Sequence, residues 1–80
     1  MPRYFFHLHE CGTVIRDEEG YELDGMDAVR REATRAARAL MAAEVQEGRL
    51  CLGCCIEVRD DRSQVVMTVP FRSVLTISRL

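Results

Sequence analysis

The sequence has no lysine, no tryptophan, only two prolines and few aromatic residues, three Phe and two Tyr among 80 positions. It also lacks an apolar run of the roughly 20 residues that a membrane-spanning helix requires. A hydrophobic fraction of 48% and a charged fraction of 30% exclude a disordered tail or a collagen-like repeat. Because lysine is missing, all eleven basic residues are arginine. We interpret this bias as the result of GC-rich codons, not as a requirement for guanidinium chemistry.

The length predicts a single domain over residues 1–80. A chain of this size buries only roughly 60–65% of the surface that its unfolded form exposes, so we expect it to gain stability by pairing with a second copy. Its N-terminal residues do not resemble a secretory signal, which predicts a cytoplasmic protein whose four cysteines are free thiols.

Hydrophobic periodicity predicts an α+β fold with the order ββαββ, in which one antiparallel sheet of about four strands carries one long helix on a single face. Alternation in residues 3–10 indicates a strand, and Cys11-Gly12 indicates a hairpin turn into a strand at 13–16. A second hairpin is predicted from residues 55–59 and 65–69, and Pro70 ends its last strand. Residues 71–77 are compatible with either helical turns or a strand.

The predicted helix spans Met26 to Val45. Asp24 or Asp27 is expected to cap its N-terminus, and Gly48 is expected to end it. Spacings of three and four residues predict an apolar stripe facing the sheet. Its members are Met26, Val29, Ala33, Ala36, Ala37, Leu40 and Ala43.

The sheet face that points away from the helix is the first candidate binding surface. Alternation places Phe5, His7 and His9 together on this face. A mixed aromatic and polar surface suits a protein partner, and exposed edge strands could also pair with another chain. This pattern favours self-association and the binding of an unidentified protein partner.

The histidines and cysteines suggest zinc as an alternative. His7, His9, Cys51 and Cys54 provide four ligands of the type that zinc prefers, and one strand face places the two histidines about 6.8 Å apart. The spacing does not match a standard zinc motif, and free cysteines often fill apolar cores. Cys55 in particular is expected to face the core. We therefore expect no resident cofactor and keep zinc as an alternative.

A second alternative is nucleic acid, because Arg31, Arg35 and Arg38 form a ridge along one side of the predicted helix. Residues 25–50 nevertheless carry a net charge of only +1, with five arginines against one Asp and three Glu. Acidic neighbours can pair with these arginines, so the charge balance argues against nucleic acid as a partner.

No arrangement of residues predicts catalysis. The sequence has no Gly-rich phosphate loop, and the Cys-x-x-Cys pair precedes a predicted strand, whereas thiol redox chemistry of the thioredoxin type requires the N-terminus of a helix. The acidic run 17–24 lacks the ligand pattern of a calcium loop and is expected to be a solvated loop. We therefore predict a protein that is not an enzyme.

Four blocks of the chain carry a resemblance. The opening MPRYFFH, the loop DEEG-x-EL, the helix rich in Ala and Arg, and the segments IEV-x-D and VPF are similar to a family of small uncharacterised bacterial proteins, a domain of unknown function. The resemblance implies a stand-alone domain and supplies no catalytic residues. The region of Cys51 to Cys55 departs from that family in being rich in cysteine. A looser likeness at the level of the fold is to HicB-type antitoxins.

Taken together, these patterns predict a non-enzymatic interaction module that acts as a homodimer. The first alternative is an antitoxin-like or nucleic-acid-binding regulator, and the second is a small zinc-binding domain.

Overall fold

The computed structural model describes residues 1–78, which form five β-strands, one α-helix and one short 3₁₀-helix. In chain order these are β1 (Arg3–Glu10), β2 (Thr13–Ile15), β3 (Tyr21–Glu22), α1 (Met26–Gln46), β4 (Cys55–Arg59), β5 (Val65–Pro70) and the 3₁₀-helix η1 (Phe71–Val74).

All five strands belong to one antiparallel sheet with the order β2-β1-β4-β5. The short strand β3 pairs with the first residues of β1, on the side where β2 pairs with its last residues. The central strand β1 therefore has β4 on one side and two short strands on the other. The predicted α+β class, with one long helix on an antiparallel sheet, is confirmed.

The first hairpin turns where the sequence predicted it. Cys11 has a φ of 46° and Gly12 a φ of 82°, so both central residues of the turn lie in the left-handed region. Two-residue hairpins favour this conformation because its twist matches that of the flanking strands.

The helix ends as predicted and begins differently. Gly48 adopts a φ of 85° after the last turn, and its N–H donates to the carbonyl of Val45. At the other end, Gly25 is the N-cap residue and no side chain caps the helix by a hydrogen bond. The prediction of a cap from Asp24 or Asp27 was therefore wrong, although Asp27 lies in the first turn, where a carboxylate favours the helix dipole.

The helix packs on β4, β5 and η1, and the core beneath it also includes Tyr4 and Leu8 of β1. Its buried residues are Val29, Ala33, Ala37 and Met41, a stripe in which small alanines allow a close approach to the strands. They meet Ile56, Val58, Val69, Phe71 and Val74 in the core. Leu40, predicted to be buried, is partly exposed, and Met41 occupies the core in its place.

Two further points differ from expectation. The loop between β2 and α1 contains β3. A strand of two residues is too short to show an alternating pattern, so the sequence did not predict it. The ambiguous tail forms η1, which buries Phe71 and Val74, and continues without regular structure to residue 78. Within the part of the chain that is described, no helix combines the length and the apolar character needed to cross a bilayer.

Candidate functional site

The acidic loop covers part of the sheet face that was predicted to bind a partner. The N–H of Asp17 donates to Nδ1 of His7 at 3.0 Å, and its carboxylate accepts from the N–H of Phe6 at 3.1 Å. Its Oδ1 also accepts from the N–H of Gly20 at 3.0 Å. His7 is consequently buried and Phe5 half-buried. His7 therefore offers little exposed surface, and the prediction that Phe5, His7 and His9 bind a partner stays a prediction.

His9 is the more accessible of the two histidines and belongs to a charged row across the strands. Its Nε2 lies 3.5 Å from Oε1 of Glu57, and Nε of Arg59 donates to the same oxygen at 2.7 Å. This hydrogen bond from Arg59, together with His9, lowers the pKa of the Glu57 carboxyl below its ordinary value. The row lines a polar concavity of about 250 Å³ that also includes His7, Val14, Arg16 and Ser63.

Three cysteines form the second cluster, at the end of the sheet where the β1–β2 turn meets the start of β4. Sγ of Cys11 lies 3.9 Å from Sγ of Cys51, and Sγ of Cys54 lies 2.7 Å from Sγ of Cys51. All three sulfur atoms fall within 4.8 Å of one another. Cys54 is buried, Cys51 half-buried and Cys11 exposed, so the cluster extends from the core to the surface.

The three thiols differ in acidity because their surroundings differ. Hydrogen bonds from the Cys54 thiol and the Gly53 backbone lower the pKa of Cys51 below its ordinary value. Burial raises the pKa of Cys54 to about 12, and the interaction with Cys51 raises that of Cys11. Cys51 is therefore the thiol that ionises first in the cluster.

The four residues predicted to bind zinc do not come together. Cys51 and Cys54 are adjacent, but the only cluster of three or more ligand residues within residues 1–78 completes them with Cys11 and contains neither His7 nor His9. The histidines lie along β1 on the face away from the helix, in the concavity with Glu57. Cys54, and not Cys55 as expected, enters the core.

The arginines of the predicted ridge lie together on the helix surface, and some of them have partners within the chain. Arg30, Arg31, Arg35 and Arg38 line an open depression of about 550 Å³ on the outside of the helix. Arg35 forms an ion pair with Glu32, which raises the pKa of its guanidinium. Nε of Arg38 donates to the carbonyl of Val74 at 3.0 Å and so holds η1 against the helix. Two of the three predicted ridge residues therefore have partners within the chain.

The free edge of the sheet is β5. Within residues 1–78 it pairs with β4 alone, so one side of its backbone has no neighbouring strand. Its six residues carry no charge, and Val65 and Thr68 are exposed on it. The opposite edge of the sheet consists of β2 and β3, which are three and two residues long.

Sequence patterns did not single out Asp17 as an organising residue, and the four predicted zinc ligands did not include Cys11. Asp17 looked like one carboxylate in an acidic run, and nothing in that run distinguishes it. For Cys11 a signal existed, since an antiparallel β1–β4 pair would bring its turn beside the residues that precede β4.

Comparison with known proteins places the chain in a family without assigning it an activity. No curated protein and no solved structure matches it, so the likeness to HicB-type antitoxins stays a prediction. A family model does match, over residues 3–72, which is most of the chain. The chain therefore belongs to the family described as a domain of unknown function, DUF6894.

Proposed function

We propose that this domain is a non-enzymatic interaction module that associates with a second copy of itself through β5. The observation that carries the proposal is the uncharged six-residue strand Val65–Pro70, which among residues 1–78 is paired on one side only. Two such strands would pair antiparallel about a two-fold axis and join the two sheets into one.

The composition of β5 supports this role. Proteins protect an exposed strand edge with charged side chains, with bulges or by making the strand very short. Strands β2 and β3 follow that pattern because of their length, whereas β5 presents Val65, Val66, Met67 and Thr68 without a charge. A register shift lies at one end of the β4–β5 pair and Pro70 at the other, so the segment between them offers the most regular backbone for pairing.

The position of the helix supports the same edge. Because α1 packs on β4 and β5, the core extends to the strand that would lie at the interface. A second copy would therefore extend an existing core, and an 80-residue chain gains from the extra burial.

The arginine ridge supports a nucleic-acid partner less well. A surface that binds phosphates needs several unpaired cations, but Arg35 is engaged by Glu32 and Arg38 by the carbonyl of Val74. We therefore keep self-association as the proposed function and expect no binding of nucleic acid.

Sedimentation velocity over a range of concentrations tests the proposal. We expect the protein to form a dimer, and we expect Thr68→Lys to weaken the dimer at least about tenfold, because each lysine would bring a like charge to the shared edge. The matched control is Thr13→Lys, which places the same exposed substitution on β2 at the opposite edge.

A dimer that is equally stable with Thr68→Lys and with Thr13→Lys would show that β5 is not the interface. A protein that stays monomeric at hundreds of micromolar would refute self-association altogether. Circular dichroism of both variants confirms that each retains the fold.

A further inference from the structure

The structure brings three thiols together from two distant parts of the chain. Cys11 lies in the β1–β2 turn, while Cys51 and Cys54 lie in the segment between α1 and β4. The pairing of His9 with Cys55 places the end of β1 beside the start of β4, and this register brings residues 40 positions apart into contact. The convergence therefore follows from the topology of the sheet.

One distance between the sulfurs is that of two ligands around one ion. Zinc binds thiolate at about 2.3 Å, so two sulfur ligands of a tetrahedral site lie about 3.8 Å apart. The 3.9 Å between Sγ of Cys11 and Sγ of Cys51 matches this spacing. Sγ of Cys54 lies closer to Sγ of Cys51, at 2.7 Å, so binding an ion requires a side-chain rotation that widens this distance by about 1 Å.

The backbone of the β1–β2 turn determines where the Cys11 side chain lies. Turns of this type favour Asn, Asp or Gly at the position of Cys11, because its φ of 46° is unfavourable for other side chains. The turn places the Cys11 sulfur within 4.8 Å of the other two sulfurs.

We propose that Cys11, Cys51 and Cys54 form a three-thiolate site for one thiophilic d¹⁰ cation, Zn²⁺ or Cu⁺. Soft thiolate ligands select these ions over magnesium, calcium or manganese. Three sulfurs complete a trigonal site for Cu⁺, and they leave one position for water or an external ligand around Zn²⁺. Each thiol releases its proton on binding, so three protons leave per ion.

The gradient of burial determines how the ion enters. Cys54 is buried in the core and fixes one ligand, whereas Cys11 is exposed at the surface. The ion thus reaches the site from the solvent side. This arrangement is suited to an ion that exchanges with the surroundings more than to a fully enclosed structural zinc.

Metal titration of the fully reduced protein tests the site. Co²⁺ serves as a spectroscopic probe through its sulfur-to-cobalt charge-transfer absorption, and competition with chromophoric chelators then measures the affinities for Zn²⁺ and Cu⁺ separately. We expect one ion per chain. Cys11→Asn should retain the turn, because Asn favours its conformation, and should weaken binding by roughly a hundredfold or more, since even residues that only support ligands contribute 10- to 100-fold.

Cys55→Ser is the matched control, because Cys55 is a neighbouring thiol that lies outside the cluster. It should leave both stoichiometry and affinity unchanged. Two results would overturn the proposal: less than about a tenth of an ion bound per chain for every metal, or an affinity that is the same with and without Cys11. A loss of binding in Cys55→Ser equal to that in Cys11→Asn would also contradict the assignment of ligands.

Discussion

Asp17 shows how one side chain can organise a loop that has little regular structure. Its backbone N–H and its carboxylate together make four hydrogen bonds, two to β1 and two within the loop. The bond to Nδ1 of His7 makes that nitrogen an acceptor, so the proton of the neutral ring lies on Nε2. A residue that seemed only to add negative charge therefore fixes the loop, orients a histidine and closes part of a sheet face.

The carboxylate of Glu57 faces both Arg59 and His9, so its contribution to stability should depend on pH. The pKa of Glu57 is lowered in the folded protein, so its ionised form stabilises the fold above the ordinary pKa of about 4.5, and this stabilisation is lost as the pH falls through the lowered value. We expect Glu57→Gln to reduce the free energy of unfolding by about 1 kcal/mol at pH 6. Urea unfolding at pH 6 and at pH 3 measures the change.

The difference between Glu57→Gln and the parent should shrink as the pH falls below 4.5 and should vanish once the pH is below the lowered pKa of Glu57, where its carboxyl is neutral like the glutamine amide. Glu47→Gln is the control, since Glu47 pairs with Arg49 at a site where both side chains are more than 60% exposed. Such exposed pairs contribute little, so its effect should stay below about 0.5 kcal/mol. A destabilisation by Glu57→Gln that is the same at both pH values would contradict the assigned ion pair.

Among the secondary-structure elements, periodicity correctly predicted the long helix and the hairpin strands. It did not predict features whose structure depends on a few hydrogen bonds. The 21-residue helix and the hairpin strands were predictable because alternation and three-to-four spacing persist over many residues. Strand β3 is set by two pairs with Arg3 and Tyr4, which no local pattern encodes. The N-cap was mispredicted because Gly25, with a φ of 93°, begins the helix without help from the neighbouring Asp24.

Gly20 gives the prediction for the loop. Its φ is 71°, and a Cβ at this position would lie 2.8 Å from the carbonyl oxygen of Tyr4 and 2.9 Å from the ring of Phe5. We expect Gly20→Ala to lower the free energy of unfolding by about 2–4 kcal/mol, because the alanine is strained in this conformation and also separates the loop from β1. Thermal and urea unfolding measure the loss.

Gly12→Ala separates the cost of the backbone conformation from the cost of the steric contact with β1. Gly12 has a φ of 82°, and an added Cβ would meet nothing within 4 Å beyond its neighbours in the chain. Its cost should be about 1 kcal/mol, the penalty of the backbone conformation alone. Equal losses in the two variants would mean that the contact of the loop with β1 contributes nothing.

For the whole molecule, the sequence predicted the class of fold but not which residues would meet at its sites. Which sulfurs converge depends on the β1–β4 register, and which sheet face stays open depends on how the acidic loop folds back over β1. Both are long-range properties that local patterns do not encode. The packing of the helix on β4 and β5 is a third long-range property. Because of it, the edge strand β5 lies next to the helix.

Association through β5 would stabilise the folded state of each chain. If β5 joins two copies, mass action makes the melting temperature depend on protein concentration. A tenfold increase in concentration adds about 0.7 kcal/mol per chain, which corresponds to a rise of about 3–6 °C for a domain of this size. Thr68→Lys should shift this dependence to concentrations at least about tenfold higher, while Thr13→Lys leaves it unchanged, as measured by calorimetry between about 10 and 1,000 micromolar. A melting temperature that is independent of concentration in the parent protein would mean that the domain reaches its full stability as a monomer.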